Sequence, residues 1–445
     1  MHVAVAGIAC QRRWGVAICM RLTICTDCTG RRVREFVVVC AGSLPFSAIH
    51  RMKSIAAPSR LHGLDTLRAL AVVVVMLYHL TIFGELPMRL LPVTYFGWMG
   101  VDLFFALSGF LIGQQVLKPY LRGERPSIAE FYRRRAYRIL PAYLAVLALY
   151  FLVPAWREAP GISPLWKFLT FTMNFGFSFE RRAFSHAWSL CVEEHFYLVL
   201  PLLVTAMLRR ASAKKTAALV AAVVVGGIAL RAFLIHHDPD NVYAKVYYPS
   251  YTRLDGLTMG VVLAVVRTFR PAWWSALMQR GHALLLAGAA CVGVVVWIFR
   301  GGHMGSSEGS AMWGMIFGLP LLSLGLALVT ASSVSRDGWL ARIKVPGAET
   351  IAALAFSLYL THKSVGHFIS QHFPRVAEAQ GPASWALYAV SCFAVAWLLH
   401  VGVERPFLRL RDHMERRISS SGGCAGGGDA PRARAVRLCR RAYTA

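Results

Sequence analysis

Leu64-Asp65-Thr66-Leu67-Arg68-Ala69-Leu70-Ala71-Val72-Val73-Val74-Val75-Met76-Leu77-Tyr78-His79 is an apolar run that carries an acid, a guanidinium and an imidazole. With its flanks it reaches the roughly 20 residues a helix needs to cross the hydrocarbon of a bilayer. Ionisable groups inside such a helix are expensive and mark functional sites. Arg68 and His79 are eleven residues apart, which is three turns plus about 20°, so they share one face some 16 Å apart along the axis. A bland reading stands beside this one: Arg68 snorkels to the interface and His79 is a packed, hydrogen-bonded histidine.

The same pattern recurs along the chain. Of 445 residues 56% are apolar and mean hydropathy is +0.50, above the roughly 45–50% apolar content of soluble domains. Ten spans are expected, at about 63–83, 95–117, 137–153, 186–208, 216–235, 251–267, 283–299, 313–332, 348–370 and 384–403. The predicted fold class is therefore an all-α polytopic integral membrane protein with about ten transmembrane helices, and a soluble enzyme is excluded. The aromatic stretch 162–179 is broken by Pro164, Lys167, Asn174 and Gly176 and reads as an interfacial or re-entrant loop.

The net charge of +26 does not point to nucleic acid, because Lys and Arg fill the gaps between apolar runs and the tails instead of forming one stripe. Alternate gaps hold 17 Lys and Arg against 8 in the others, which places both termini in the cytoplasm. Residues 1–51 hold five of the ten Cys and no helical period. They read as a non-native extension ahead of a true start at Met52, or as a disordered one, and their deletion is expected to leave insertion and activity intact. Residues 52–410 form the transmembrane domain, and 411–445 a basic, disordered cytoplasmic tail with no soluble domain after the last span. Cys25 and Cys28 form a lone CxxC, and the apolar body holds only Cys191, Cys291 and Cys392, so no metal or disulfide framework is expected.

Further polar groups sit at one depth. Asp102 in Gly100-Val-Asp-Leu-Phe-Phe105 lies about 10 Å below the outer end of its span. Glu193 and Glu194, in Trp188-Ser-Leu-Cys-Val-Glu-Glu-His-Phe-Tyr197, lie in the outer half of theirs. Arg253 and Asp255 open the sixth span, and His362-Lys363 lie past the middle of the ninth. Five helices, that of His79 included, thus bring polar groups to one level, which predicts a convergent site. At the cytoplasmic side Arg133, Arg134, Arg135 and Arg138 lead into the third span, with Arg135 and Arg138 at i, i+3 on one face. Guanidinium forks match phosphate geometry, and positive-inside anchoring is the alternative.

Taken together, these stretches resemble the acyltransferase 3 family of polytopic membrane acyltransferases, which includes bacterial O-acetyltransferases of surface polysaccharides. The resemblance covers about 61–407: the Arg68-(ten residues)-His79 motif, Gly100–Ile112, Arg135-x-x-Arg138, Trp188–Tyr197, Arg253-Leu-Asp255, Ser357–His362 and Glu404-Arg-Pro-Phe407. Thr66, Cys191 and His195 stand where Gly, Ser and Gln are usual, and none of these changes removes a proposed catalytic group. The family also has members fused to a periplasmic hydrolase-like domain, which is not expected here.

The resemblance implies acyl transfer, from cytoplasmic acyl-CoA (acetyl-CoA first) to a hydroxyl of a carbohydrate or glycolipid at the outer face of the bacterial inner membrane. Donor-binding residues are expected to be Arg68, Arg135 and Arg138, and Asp65 is a further polar candidate. The catalytic candidates are His79, as general base or acylated nucleophile, with Asp102, Glu193 or Glu194 orienting its imidazole. Beyond substrates and membrane lipids no cofactor, metal or nucleic acid is expected. A transporter or flippase is the alternative, but it would show internal repeats, and 61–235 and 236–410 share none.

Overall fold

The computed structural model describes residues 4–13, 16–26, 32–41 and 61–422, apart from 83, 85, 125, 210, 211 and 301–308. Met52 and residues 423–445 therefore lie outside the described residues. The chain forms two units, one holding residues 1–60 and the other holding 61–414. In the first, Ala4–Arg13, Val16–Thr26 and Arg32–Ala41 pair as a three-stranded antiparallel sheet in sequential order. Ala17 faces Ala41 and Thr26 faces Arg32 in the second pairing. The all-α expectation is thus met by 61–414, and the strands lie ahead of it.

The helical unit is built on α1 (His62–Ile82), α2 (Met99–Leu121), α3 (Ile128–Leu152), α4 (Trp188–Arg209) and α5 (Ala213–His237). It continues through α6 (Asp255–Phe269), α7 (Gly281–Phe299), α8 (Leu319–Ser333), α9 (Ala348–His372) and α10 (Pro382–Leu399). A π turn over His400–Glu404 leads into α11 (Arg405–Gly422). The expected disordered tail therefore begins as helix, and only 423–445 remains undescribed.

Among the described residues eight helical stretches are long and apolar enough to cross a membrane, fewer than the ten expected. The two that fall short are α6 and α9. With 15 residues, α6 spans about 22 Å at 1.5 Å per residue, less than the ~30 Å of hydrocarbon. α9 has 25 residues but buries Ser357, Thr361, His362, Lys363 and Ser364. Both can be short or polar because protein surrounds them, and both carry or adjoin the polar groups of the site. The stretch 162–179 is a folded loop, as its breakers require. It holds a five-residue helix, Leu165–Leu169, and a left-handed Phe171 at φ 56°.

α1 is the axis of this architecture. Leu64, Leu67, Ala71 and Val75, at spacings of three and four, enter the main apolar core with α2. Val72, Met76 and Leu80 enter a second cluster with Leu358, Val365 and Ile369 of α9 and Tyr388, Cys392 and Ala396 of α10. α2 and α6 approach most closely, through Gly109-x-x-x-Gly113 on one and Gly256-x-x-x-Gly260 on the other. A Cβ at Gly109 would strike the Leu257 carbonyl, and one at Gly260 the Ala106 carbonyl. Lipid tails are as apolar as leucine, so such close backbone packing, and not water exclusion, holds membrane helices together. Gly260→Val is accordingly expected to lower stability by about 1–3 kcal/mol or more. Thermal unfolding in detergent measures this, and an unchanged midpoint would contradict the packing.

Candidate active site

Two cavities share Val101 and Tyr359 as lining residues. One, of about 370 Å³, is lined by His79, His186 and Lys363 within aromatic walls that include Trp98, Trp188 and Tyr247. The other, of about 180 Å³, is lined by Arg68, Arg135, Arg138, Glu193 and Glu404. The one-face relation of Arg68 and His79 on α1 is what puts one residue in each. Where the cavities meet, the Tyr359 hydroxyl lies 2.6 Å from Ser189 Oγ and donates to the His186 carbonyl at 2.9 Å.

In the histidine cavity, His79 Nδ1 lies 2.9 Å from His362 Nε2. His362 Nδ1 lies 2.9 Å from the Tyr359 carbonyl and 3.1 Å from that of Leu358. A carbonyl oxygen only accepts, so His362 Nδ1 carries the proton. In the neutral ring, His362 Nε2 is then an acceptor, His79 Nδ1 must donate to it, and His79 Nε2 is left with its lone pair. The backbone of α9 thus sets, through one neutral ring, which nitrogen of His79 is basic. Lys363, also buried, donates to Ser185 Oγ at 2.8 Å and pairs with Glu158 at 2.9 Å, tying α9 to the loop before α4. Burial pushes the hydroxyls of Tyr243, Tyr247 and Tyr248, on the loop before α6, above the usual phenol range. They therefore line the cavity as neutral hydrogen-bonding groups. Among the described residues no cluster of three or more His, Cys, Asp or Glu is arranged to hold a metal ion.

The expected orienting carboxylates are placed elsewhere. Asp102 receives Arg253 Nη2 at 2.9 and 3.0 Å, since a buried carboxylate is tolerable only beside its counter-charge. Arg253 in turn lies under the rings of Tyr247, at 4.7 Å, and Trp188, at 5.5 Å. Asp255 pairs at 2.6 Å with Arg231 of α5, a fully buried group that the sequence reading missed. Asp102 and Asp255 are thus each engaged in a buried ion pair, while the side chain that meets His79 Nδ1 is that of His362. Glu193 accepts from Ser108 at 3.0 Å and from Tyr197 at 2.8 Å, and it lines the arginine cavity. Glu194 lines neither of these two cavities. The convergent level of five helices is thus three separate groupings, of which His79 and His362 are one.

In the arginine cavity both carboxylates are already satisfied, Glu404 by Ser357 at 3.0 Å and His400 at 2.9 Å. Asp65 lies 3.8 Å from Arg68. Arg135 stacks over Tyr197 at 4.6 Å. Neither Arg135 nor Arg138 forms an ion pair among the described residues, and these two guanidinium groups at i, i+3 face a cavity that Glu193 and Glu404 line without direct contact to them. Such a surface suits phosphate oxygens.

The sequence that builds this fold has counterparts among known proteins. The family model described as "Acyltransferase domain" matches residues 61–401, and the chain belongs to that family. Among its curated relatives is "O-acetyltransferase OatA" of Staphylococcus aureus (strain NCTC 8325 / PS 47), 24% identical over 384 residues, covering 80% of this chain and 58% of the relative. Another is "Putative O-acetyltransferase SACOL0978" of Staphylococcus aureus (strain COL), 26% identical over 371 residues, covering 78% and 57%. The chain thus spans somewhat over half the length of these relatives. No solved structure matches it.

Proposed function

We propose that the chain is a membrane O-acyltransferase that moves an acetyl group from acetyl-CoA to a hydroxyl of a carbohydrate or glycolipid. The observation that carries this reading is the pair of cavities sharing Val101 and Tyr359, one lined by arginines and the other by a histidine whose Nδ1 meets His362. Arg68, Arg135 and Arg138 hold the phosphates of the donor, and the pantetheine arm carries the thioester toward His79, roughly 16 Å along α1 from Arg68. His79 Nε2 takes the proton of the acceptor hydroxyl as its oxygen attacks the thioester carbonyl. The same proton then goes to the departing thiolate, giving the ester and free CoA. The positive-inside bias supports a cytoplasmic donor side, an outer acceptor side and both termini in the cytoplasm.

The test is transfer of labelled acetyl from acetyl-CoA, by the full chain in detergent, to envelope glycans of a strain lacking the gene. Alkali-labile label in the glycan is the expected result, and its absence overturns the reading. In the same assay Arg135→Ala or Arg138→Ala is expected to raise the KM for acetyl-CoA about ten- to a hundred-fold, as a lost charge-assisted hydrogen bond of ~1.5–3 kcal/mol requires. The acceptor KM should hold. Lys in either place recovers only part, because it lacks the planar fork. A shift in the acceptor KM alone would put these residues on the other substrate.

A further inference from the structure

The arginine cavity holds a carboxylate and guanidinium groups that do not pair. Glu193, Arg135 and Arg138 all line it, yet among the described residues no ion pair joins Glu193 to either arginine. A carboxylate taken out of water beside a cation is tolerable when it takes that cation as its partner. Glu193 takes two hydroxyls instead. Ser108 of α2 donates to its Oε1 at 3.0 Å, and Tyr197 of α4 donates to its Oε2 at 2.8 Å. Glu193 and Tyr197 stand at i, i+4 on α4, which makes them neighbours on one face of that helix.

Tyr197 is buried, and its ring carries the Arg135 guanidinium, whose carbon lies 4.6 Å from the ring centre. One side chain thus touches both the cation and the carboxylate, through different parts. The ring face attracts the cation by its π electrons, and the hydroxyl at the ring's edge holds the anion. The two contacts differ in what they leave open. Contact with a ring face does not engage the guanidinium fork, whereas a bidentate pair with Glu193 would take two of its N–H donors. Arg135 therefore keeps its fork for an anion that enters the cavity, and a phosphate oxygen is such an anion.

We propose that Tyr197 is a positioning residue for the donor, which presents Arg135 to the phosphates and keeps Glu193 from pairing with it. This rests on the acyl-transfer reading above. The ring sets where the guanidinium lies, and the hydroxyl, together with that of Ser108, satisfies the carboxylate with neutral donors. Tyr197 touches no reacting atom. Without its hydroxyl, Glu193 Oε2 loses its donor, and a carboxylate so stripped in a cavity lined by arginines turns to one of them.

The experiment follows acetyl transfer by the full chain in detergent to the envelope glycan fraction of a strain lacking the gene. The KM of acetyl-CoA and that of the acceptor are determined separately, with thermal unfolding alongside. Tyr197→Phe keeps the ring and loses the hydroxyl, so the acetyl-CoA KM is expected to rise about tenfold while the acceptor KM moves less than about twofold. Adding Glu193→Gln removes the charge that captures Arg135. The acetyl-CoA KM of this double variant is expected to fall back to within about twofold of that of Glu193→Gln alone, whereas two merely structural losses would add. Tyr197→Leu loses ring and hydroxyl together and is expected to raise the acetyl-CoA KM further. Glu193→Gln then recovers only part, because the guanidinium has no platform left. A Phe variant whose acetyl-CoA KM stays put, or a double variant no better than Phe alone, overturns the role of Tyr197 and leaves acyl transfer standing. Absence of transfer by the unaltered chain sinks both.

Discussion

Replacing His79 by Asn is expected to lower acetyl transfer by at least ~10²–10⁴, the usual loss of a general base, while the protein still inserts and folds. Asn keeps a side-chain amide where His79 Nδ1 meets His362, so the contact that packs α1 against α9 survives in part. What Asn cannot do is take a proton. His79→Ala is expected to behave alike in activity, since Ala is the best helix former and α1 is otherwise an apolar run. The measurement is single-turnover transfer together with size-exclusion and thermal unfolding, so that chemistry and folding are read separately. An Asn variant with near-unaltered transfer would make His79 a structural histidine.

Most of the spans and the arginine-lined cavity were legible in the sequence because both are local. Hydrophobic length marks a helix wherever it packs, and Arg135 and Arg138 share a face through i, i+3 spacing alone. The Arg68 to His79 spacing likewise places one residue in each cavity. The identity of the partner was not legible. Asp102 meets Arg253 across 151 residues, and His79 meets His362 across 283. Depth along a helix could bring Asp102, Glu193 and His362 to a similar level, but it carries no information about rotation around the bundle. Arg253 and Asp255, two residues apart at the mouth of α6, point to different partners for the same reason. His186 was passed over because it stands at the very start of the expected span 186–208, in the turn before α4 and outside the motif that follows. The signal available was a histidine two residues ahead of the Trp188-Ser189 motif. The polar residues of α9 could have shown that the middle of this helix is buried in protein, since a Lys and a His side by side at mid-helix are tolerable only there.

His362→Leu is expected to lower kcat by up to about 10⁴, the scale seen when the group that fixes a catalytic imidazole's tautomer is lost. His362 touches neither proton nor substrate in the reaction proposed. It acts by accepting from His79 Nδ1, which keeps the lone pair on Nε2. Leu removes that acceptor, so either nitrogen of His79 can carry the proton and the ring is free to turn. The loss is not one of folding, because the Leu358 and Tyr359 carbonyls that His362 contacts sit within the regular hydrogen bonding of α9. His362→Gln separates positioning from packing, since its side-chain oxygen reaches the place of Nε2 and can accept from His79. Gln is expected to recover most of kcat, whereas Asn, too short to reach His79, is not. In 15N spectra of histidine-labelled protein the Nδ1-protonated form of His79 should dominate in the unaltered chain and in the Gln variant, and the two tautomers should mix in the Leu variant. If Leu and Gln lower kcat equally, or if Leu leaves it unchanged, then His362 does not set the tautomer and the orientation of His79 comes from the packing of α1 alone.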